Sequence, residues 1–194
     1  MAIGRNFKES FQKALRSLEI GLDGLNSNKN LKAKNKEKLK ILLEKNLPNK
    51  FLIIAEALRK GIDINTVIKK SKYDYWFIRE IEEIVKLENI LKKKFSLNLY
   101  KKSKAAGFSD KRILELSKIS PNKLKDLKKN YNLHAKFKNI DTCSGEFKSF
   151  TPYMYSSWAS NQNTPIFEKE TNITNKKKVI IIGGGPNRIG QGIE

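Results

Sequence analysis

Apolar residues recur at helical spacing over most of the chain. The longest such stretch runs from about Asp74 to Lys93 and predicts a helix. Its apolar side is formed by Phe77, Ile78, Ile81, Ile84, Val85, Leu87, Ile90 and Leu91. A shorter helix is predicted after Asn6, because Glu9 follows three residues later in a capping-box pattern. Gly21 suits the end of this helix.

Two further helices are predicted before the longest one. The first lies around Leu39–Leu43 and ends near Pro48, and the second runs from Phe51 to Gly61. The polar residues 22–35 predict a loop. Together these patterns predict an all-α body over residues 7–130.

Beyond residue 130 the helical periodicity ends. Residues 137–158 contain aromatic side chains without a clear period, and residues 160–178 form a polar segment that predicts a linker. Val179 opens a run of β-branched residues that predicts a buried strand leading into several glycines. The body is therefore followed by a different kind of structure.

The helical part contains an internal repeat at an offset of 46 residues. Gly61 corresponds to Gly107, and Val67 corresponds to Ile113. The two copies cover about residues 57–81 and 103–127. Each copy predicts a helix, a glycine stop, a short capped helix, a tight turn and a further helix.

The same order of elements is the outline of a helix-turn-helix, so an independent basic nucleic-acid-binding protein is an alternative function. However, the last helix of the second copy begins with Pro121-Asn122 and continues with Lys. It offers no Arg and one Asn for contacts with base edges. The first copy places aromatic residues there, which suits packing. These features favour a structural repeat.

The formal net charge of +20 changes this interpretation little. The chain has 34 Lys and 6 Arg, whereas proteins that read base sequence rely on Arg for bidentate contacts. Lys, Asn and Ile are all encoded by codons rich in A and T, so genome composition accounts for much of the charge. We predict no specific nucleic-acid partner.

Other functions are disfavoured by what the sequence lacks. It has no run of about 18 apolar residues, and its first residues do not resemble a signal peptide. The single cysteine, Cys143, cannot form an internal disulfide and suits a reducing cytoplasm. One His and one Cys make a zinc or transition-metal site improbable. We therefore predict a cytoplasmic protein without membrane contact or metal.

The last residues, VIIIGGGPNRIGQGIE, follow the pattern of a strand and a phosphate-binding turn, but they fit no standard motif. Arg188 stands where a dinucleotide fingerprint needs its third glycine. Gln191-Gly192 replaces the Lys-Ser or Lys-Thr of a P-loop. Two interpretations stay open. The backbone amides and Arg188 face an anion, or the glycines serve only a tight turn.

Five segments, in order, resemble the large subunit of carbamoyl phosphate synthetase. They are MAIGR with QKALRSLE, DYWFIREIEEIVKLE, AAGFSDKRIL, DTCSGEFKSFTPYMYSSW and GGGPNRIGQGIE. Two departures are visible. Arg79-Glu80 stands where the family usually has Gln, and the Phe-Asp-Tyr that continues the last segment in the family is absent.

This resemblance implies a mainly α fold. The chain would be an internal fragment with the helical oligomerization domain and a short C-terminal β-strand and glycine loop from a truncated α/β (pre-ATP-grasp) domain. The implied divisions are residues 1–20, the end of the first synthetase half; 21–159, the oligomerization domain; 160–178, a linker; and 179–194, the start of the second half.

The resemblance also implies a function. The family makes carbamoyl phosphate from bicarbonate, ammonia and two ATP for pyrimidine and arginine synthesis. A glutaminase small subunit supplies the ammonia, and the full-length ligase uses ATP with Mg or Mn and K. No position here inherits a catalytic role or a cofactor, so we expect this sequence alone to be an inactive connecting and oligomerization module.

One carried-over site is the glycine loop, which in the family borders the tunnel that delivers carbamate. The matching residues are Gly183, Gly184, Gly185, Pro186, Asn187, Arg188, Gly190, Gln191, Gly192 and Glu194. A small residue leaves the bore open, while a cation and a carboxylate bind a small anion loosely. Alternatively, Arg188 and Glu194 form only a surface pair at the start of a helix.

A second candidate site is an interface with other large subunits, formed by Tyr73, Tyr75, Trp76 and Phe77. Since a helix turns about 100° per residue, Tyr73, Trp76 and Phe77 share one side and Tyr75 points away. Exposed aromatic residues at the start of a helix suit an interface. The alternative is that Tyr75 packs beneath the loop of residues 22–35.

Overall fold

The structure is a computed structural model that describes residues 2–27, 29–149, 151–158 and 174–180. The elements of these residues are α1 (Phe7–Ser17), α2 (Lys29–Lys32), α3 (Lys36–Glu44), α4 (Lys50–Arg59), α5 (Ile64–Ser71), α6 (Tyr75–Lys93), α7 (Leu97–Ala105), α8 (Asp110–Ser117), α9 (Pro121–Asn130), β1 (Lys136–Asn139) and β2 (Met154–Ser157). The predicted mainly helical fold is confirmed.

Polar side chains cap the starts of most of these helices. The capping residues are Asn6, Asn35, Asp63, Asp74, Ser96, Ser109 and Ser120. The cap predicted at Asn6 is confirmed, since Glu9 N–H donates to Asn6 Oδ1 at 2.9 Å. In a capping box the Glu9 carboxylate would accept from the Asn6 N–H, but here it accepts from Arg5 N–H at 2.8 Å.

The internal repeat is a structural repeat of three helices. Helices α4, α5 and α6 correspond to α7, α8 and α9, and α5 and α8 begin and end at equivalent positions. Both turns after the second helix use a left-handed residue, Lys72 at φ 59° and Lys118 at φ 55°. Val67 and Ile113 occupy equivalent positions in the two copies, and both are fully buried in the core.

Helix α6 lies at the centre and contacts α1, α4, α5 and α8. Its predicted apolar side is confirmed in the middle, where Ile78, Ile81 and Ile84 are fully buried. The two ends of that side differ from the prediction, since Phe77 is 39% exposed and Ile90 is 38% exposed. Leu91, next to Ile90, is nevertheless fully buried, as is Ile78 next to Phe77, so both ends combine buried and exposed residues.

Helix α1 packs on the turn between α7 and α8. Its side chains donate to three consecutive carbonyl oxygens of this turn. The bonds are Asn6 Nδ2 to Ala105 O at 3.0 Å, Gln12 Nε2 to Ala106 O at 2.7 Å and Arg16 Nη1 to Gly107 O at 2.7 Å. The first helix is therefore part of the same folded body as the repeat.

Three elements were not predicted. Helix α2 interrupts the predicted loop because Leu31 is only 5% exposed and its burial stabilises a single turn. Strands β1 and β2 pair antiparallel, with Lys136 opposite Ser157, within the stretch that showed no period. Their partners are distant in sequence, and the burial of β1 does not alternate, so no periodicity marks them.

The predicted C-terminal strand is only partly covered by the described residues. Val179 and Ile180 are 88% and 86% exposed and belong to no strand. The rest of that strand, from residue 181 onward, lies outside the described residues.

Candidate functional site: an aromatic surface at the start of helix α6

Three consecutive aromatic residues in the first turn of α6 are partly exposed. Tyr75, Trp76 and Phe77 are 53%, 43% and 39% exposed, and we call them the aromatic surface. The ring centroids of Trp76 and Phe77 lie 5.0 Å apart in an edge-to-face arrangement. Large apolar side chains that remain accessible on a helix are typical of a contact surface.

Helix α1 supports the aromatic surface from below. The Phe7 ring lies 5.2 Å from that of Trp76 and 5.5 Å from that of Phe77, with both contacts edge to face. Phe7 also stacks on Phe11 at 5.1 Å. These contacts fix Trp76 and Phe77 in place, so their exposed edges are preorganised rather than free to move.

The remaining residue of the predicted interface, Tyr73, lies deeper. Its ring packs edge to face on Phe51 at 5.1 Å, and Lys50 Nζ lies 5.5 Å from its centroid. Phe51 in turn contacts Phe11 at 5.2 Å. Tyr73, Trp76 and Phe77 thus belong to one continuous row of rings, while the exposure of Tyr75 does not fit burial beneath the loop of residues 22–35.

The turn between α5 and α6 determines where these rings lie. Lys72 adopts φ 59°, which turns the chain sharply after α5. Asp74 then caps α6 by accepting from Trp76 N–H at 2.8 Å. The second copy has the same turn and cap, but Pro121, Asn122 and Lys123 stand at the positions of the three aromatic residues. The two copies therefore share core positions and differ at this surface.

The charges beside the aromatic surface are paired. Lys8 Nζ lies 2.5 Å from Glu83 Oε2 and 3.1 Å from Glu80 Oε2. Burial alone would lower the pKa of Lys8, but the hydrogen bonds with Glu83 and Glu80 outweigh it and raise the pKa. The hydrogen bond from Lys8 likewise lowers the pKa of Glu83. Both groups stay charged at neutral pH.

This part of the chain also differs in charge from the whole. Residues 74–88 contain five acidic and two basic residues, although the chain carries +20. Basic residues nevertheless lie next to the aromatic surface, because Lys69, Lys70 and Lys72 directly precede it and Lys50 lies beside the Tyr73 ring. Two copies that meet at this surface therefore repel each other until salt screens their charge.

The other predicted site cannot be described in the same way. All of its residues, Gly183, Gly184, Gly185, Pro186, Asn187, Arg188, Gly190, Gln191, Gly192 and Glu194, lie outside the described residues. Within the described ranges, no group of three or more His, Cys, Asp or Glu side chains is placed to hold a metal ion. No helix in the same ranges is long and apolar enough to cross a membrane.

A central helix and a helical unit present in two copies define a helical repeat module. Comparison with known families agrees with this class. Residues 1–132 match the family described as the oligomerisation domain of the carbamoyl-phosphate synthetase large chain. The chain belongs to this family.

Individual relatives are similar along the whole chain. It is 42% identical to the carbamoyl phosphate synthase large chain of Vibrio cholerae serotype O1 and 42% identical to that of Haemophilus ducreyi. The large chain of Buchnera aphidicola subsp. Acyrthosiphon pisum is 41% identical. Each match covers 100% of this chain but only 17–18% of the relative. The chain thus spans less than a fifth of the length of these relatives.

Proposed function

We propose that the chain is the connecting and oligomerisation module of a carbamoyl phosphate synthase large chain and that the aromatic surface is its contact with a second copy. The observation that carries this proposal is the exposed, supported row of rings on a chain of the oligomerisation-domain family.

The proposal extends to the reaction of the whole synthase. That protein makes carbamoyl phosphate from bicarbonate, glutamine-derived ammonia and two ATP, with Mg or Mn and K, together with a glutaminase small subunit in the cytoplasm. The support for this is that relatives 36–42% identical are carbamoyl phosphate synthase large chains. The module itself contributes assembly and connection rather than catalysis.

The proposed divisions are residues 1–20, 21–159, 160–178 and 179–194, with the first and last belonging to the two synthetase halves. The glycine loop of the last segment, with Arg188, Gly192 and Glu194, is proposed to border the carbamate tunnel. Hydrogen bonds from Gln12 and Arg16 to Ala106 O and Gly107 O support a close connection between the first segment and the helical body.

Sedimentation velocity tests the proposed contact. We expect the chain to self-associate at about tens to hundreds of micromolar. Trp76→Lys should raise the dissociation constant by about tenfold or more. Because the chain carries +20, association should tighten as salt screens the repulsion. Tyr131→Lys is the matched control, since Tyr131 is an aromatic residue that is 59% exposed at the end of α9.

Two results would contradict the proposed contact. One is a chain that stays monomeric at hundreds of micromolar in both low and high salt. The other is self-association that Trp76→Lys and Tyr131→Lys weaken equally, because the contact would then not involve the aromatic surface.

A further inference from the structure

Glu9 of α1 is a buried carboxylate that contacts two segments distant in sequence. It is 1% exposed. Its Oε2 accepts from Arg5 N–H at 2.8 Å and from Ser157 Oγ–H at 2.9 Å. Its Oε1 accepts from Trp158 N–H at 3.4 Å. One carboxylate thus joins the residues before α1 to the end of β2.

Lys13, one turn further along α1, contacts the same two segments. Its Nζ donates to Ile3 O at 2.9 Å and to Ser156 O at 2.5 Å. It also lies 3.4 Å from Glu9 Oε1, so the two side chains neutralise each other. We call Glu9 and Lys13 the polar clasp.

The end of β2 contacts the helical body through Trp158 and through the polar clasp. A two-stranded sheet is only marginally stable without further packing. Trp158 supplies such packing, since its ring lies 6.0 Å from that of Tyr100 and beneath Lys104 Nζ at 4.8 Å. The clasp adds the bonds to Glu9 and Lys13 and the Tyr155 ring, whose centroid lies 5.9 Å from Lys13 Nζ, and a buried carboxylate that loses its donors is costly.

We propose that the polar clasp holds residues 3–5 and 156–158 together on α1 and thereby fixes the orientation of the β1–β2 hairpin relative to the helical body. This inference deepens the proposed function and rests on it in one respect. In the proposed module these two segments lead towards the two synthetase halves, so the clasp makes the connector rigid. Glu9 and Lys13 are positioning residues in this role.

Two measurements on the full chain test the polar clasp, with the variants Glu9→Gln and Lys13→Met. With Trp76 replaced by Phe, Trp158 is the only tryptophan and reports on the end of β2. We expect each variant to shift Trp158 emission to the red. We also expect amide hydrogen exchange to become about tenfold faster in residues 2–5 and 154–158 together, while α4 to α6 keep their protection.

A distance measurement separates positioning from simple loss of stability. Spin labels at Ile20→Cys and Tyr153→Cys, both at exposed positions, are placed in a Cys143→Ser background. We expect a narrow distance distribution in the parent and a broad one in both clasp variants. The control is Glu82→Gln with Lys86→Met, an exposed ion pair of the same spacing on α6, which should leave the distribution narrow.

Several outcomes would overturn the inference. Unchanged exchange and distance distributions in Glu9→Gln and Lys13→Met would do so, as would faster exchange in only one of the two segments. If Glu9→Gln fails to fold, Ser157→Ala removes one bond of the clasp and should broaden the distribution to a smaller degree. All of these measurements are made at low concentration on a monomer, so they remain informative if self-association through the aromatic surface fails.

Discussion

Gly61 and Gly107 are equivalent glycines of the repeat with different surroundings. Both end a helix in the left-handed region, at φ 72° and 86°. A Cβ on Gly61 would meet only Lys36 Nζ at 3.9 Å, whereas a Cβ on Gly107 would lie 2.8 Å from Glu9 Cα. A glycine is therefore needed at position 107 both for the left-handed turn and for the close approach of α1.

This pair allows backbone strain to be separated from close packing. Gly61→Ala should cost about 1–2 kcal/mol of unfolding free energy through the left-handed conformation alone. Gly107→Ala should cost about 2 kcal/mol more, because α1 must shift. Urea unfolding of both variants measures the difference. Equal losses would show that α1 does not pack closely on this turn.

At the scale of elements, Glu88 connects the two copies of the repeat through a buried ionic group. Glu88 on α6 is 1% exposed and lies 2.7 Å from Arg59 Nε on α4 and 2.6 Å from Arg112 Nη2 on α8. Burial alone would lower the pKa of Arg112, but Glu88 and Glu115 together outweigh it and raise the pKa. Glu88 therefore links α6 both to α4 of its own copy and to α8 of the other copy.

Glu88→Gln should lower the unfolding free energy by about 3 kcal/mol, because it leaves two buried guanidinium groups without their shared counter-charge. Glu82→Gln, on the exposed side of the same helix, should cost less than about 1 kcal/mol. Chemical denaturation measures both changes. A Glu88 variant as stable as the Glu82 variant would mean that packing alone links the two copies.

The central turns of α6 provide a further comparison. Ile81→Asp places a carboxylate at a fully buried position and should cost about 3 kcal/mol or more. Ile90→Asp, on the same helix but 38% exposed, should cost much less. Thermal unfolding distinguishes the two. If Ile81→Asp melts within a degree or two of the parent, Ile81 is not part of the core.

The elements that the sequence predicted well are those set by local patterns. Helix α6, the cap at Asn6 and the helices within each copy of the repeat depend on residues within a few turns of each other. The β1–β2 sheet could not be predicted, because its pairs, such as Lys136 with Ser157, join residues that are distant in sequence. Periodicity also could not show that Phe77 and Ile90, on the apolar side of α6, are partly exposed, because this depends on which helices pack against them.

For the candidate interface too, the sequence predicted the local features but not the tertiary contacts. The sequence predicted aromatic crowding at the start of α6 and the common side of Tyr73, Trp76 and Phe77. It did not reveal that Phe7 supports the exposed rings, because only the tertiary fold brings α1 to this turn. Whether Tyr73, Tyr75, Trp76 and Phe77 contact another copy stays a prediction until sedimentation tests it.

At the scale of the whole molecule, the positive charge is unevenly distributed. Helix α6 carries equal numbers of basic and acidic residues, although the chain carries +20. Helix α9, in contrast, has four Lys and one Asp and no Arg. The excess positive charge therefore lies mainly outside α6, on segments such as α9.

This difference leads to a prediction about nucleic acid. Lys side chains release counterions from a duplex but do not read base edges, so we expect weak binding that falls steeply with salt and ignores sequence. Two duplexes of unrelated sequence should bind with equal affinity in a fluorescence anisotropy titration, and little binding should remain at about 150 mM salt. Self-association should strengthen over the same range. A preferred duplex selected at about 150 mM salt would instead support a helix-turn-helix function for α8 and α9.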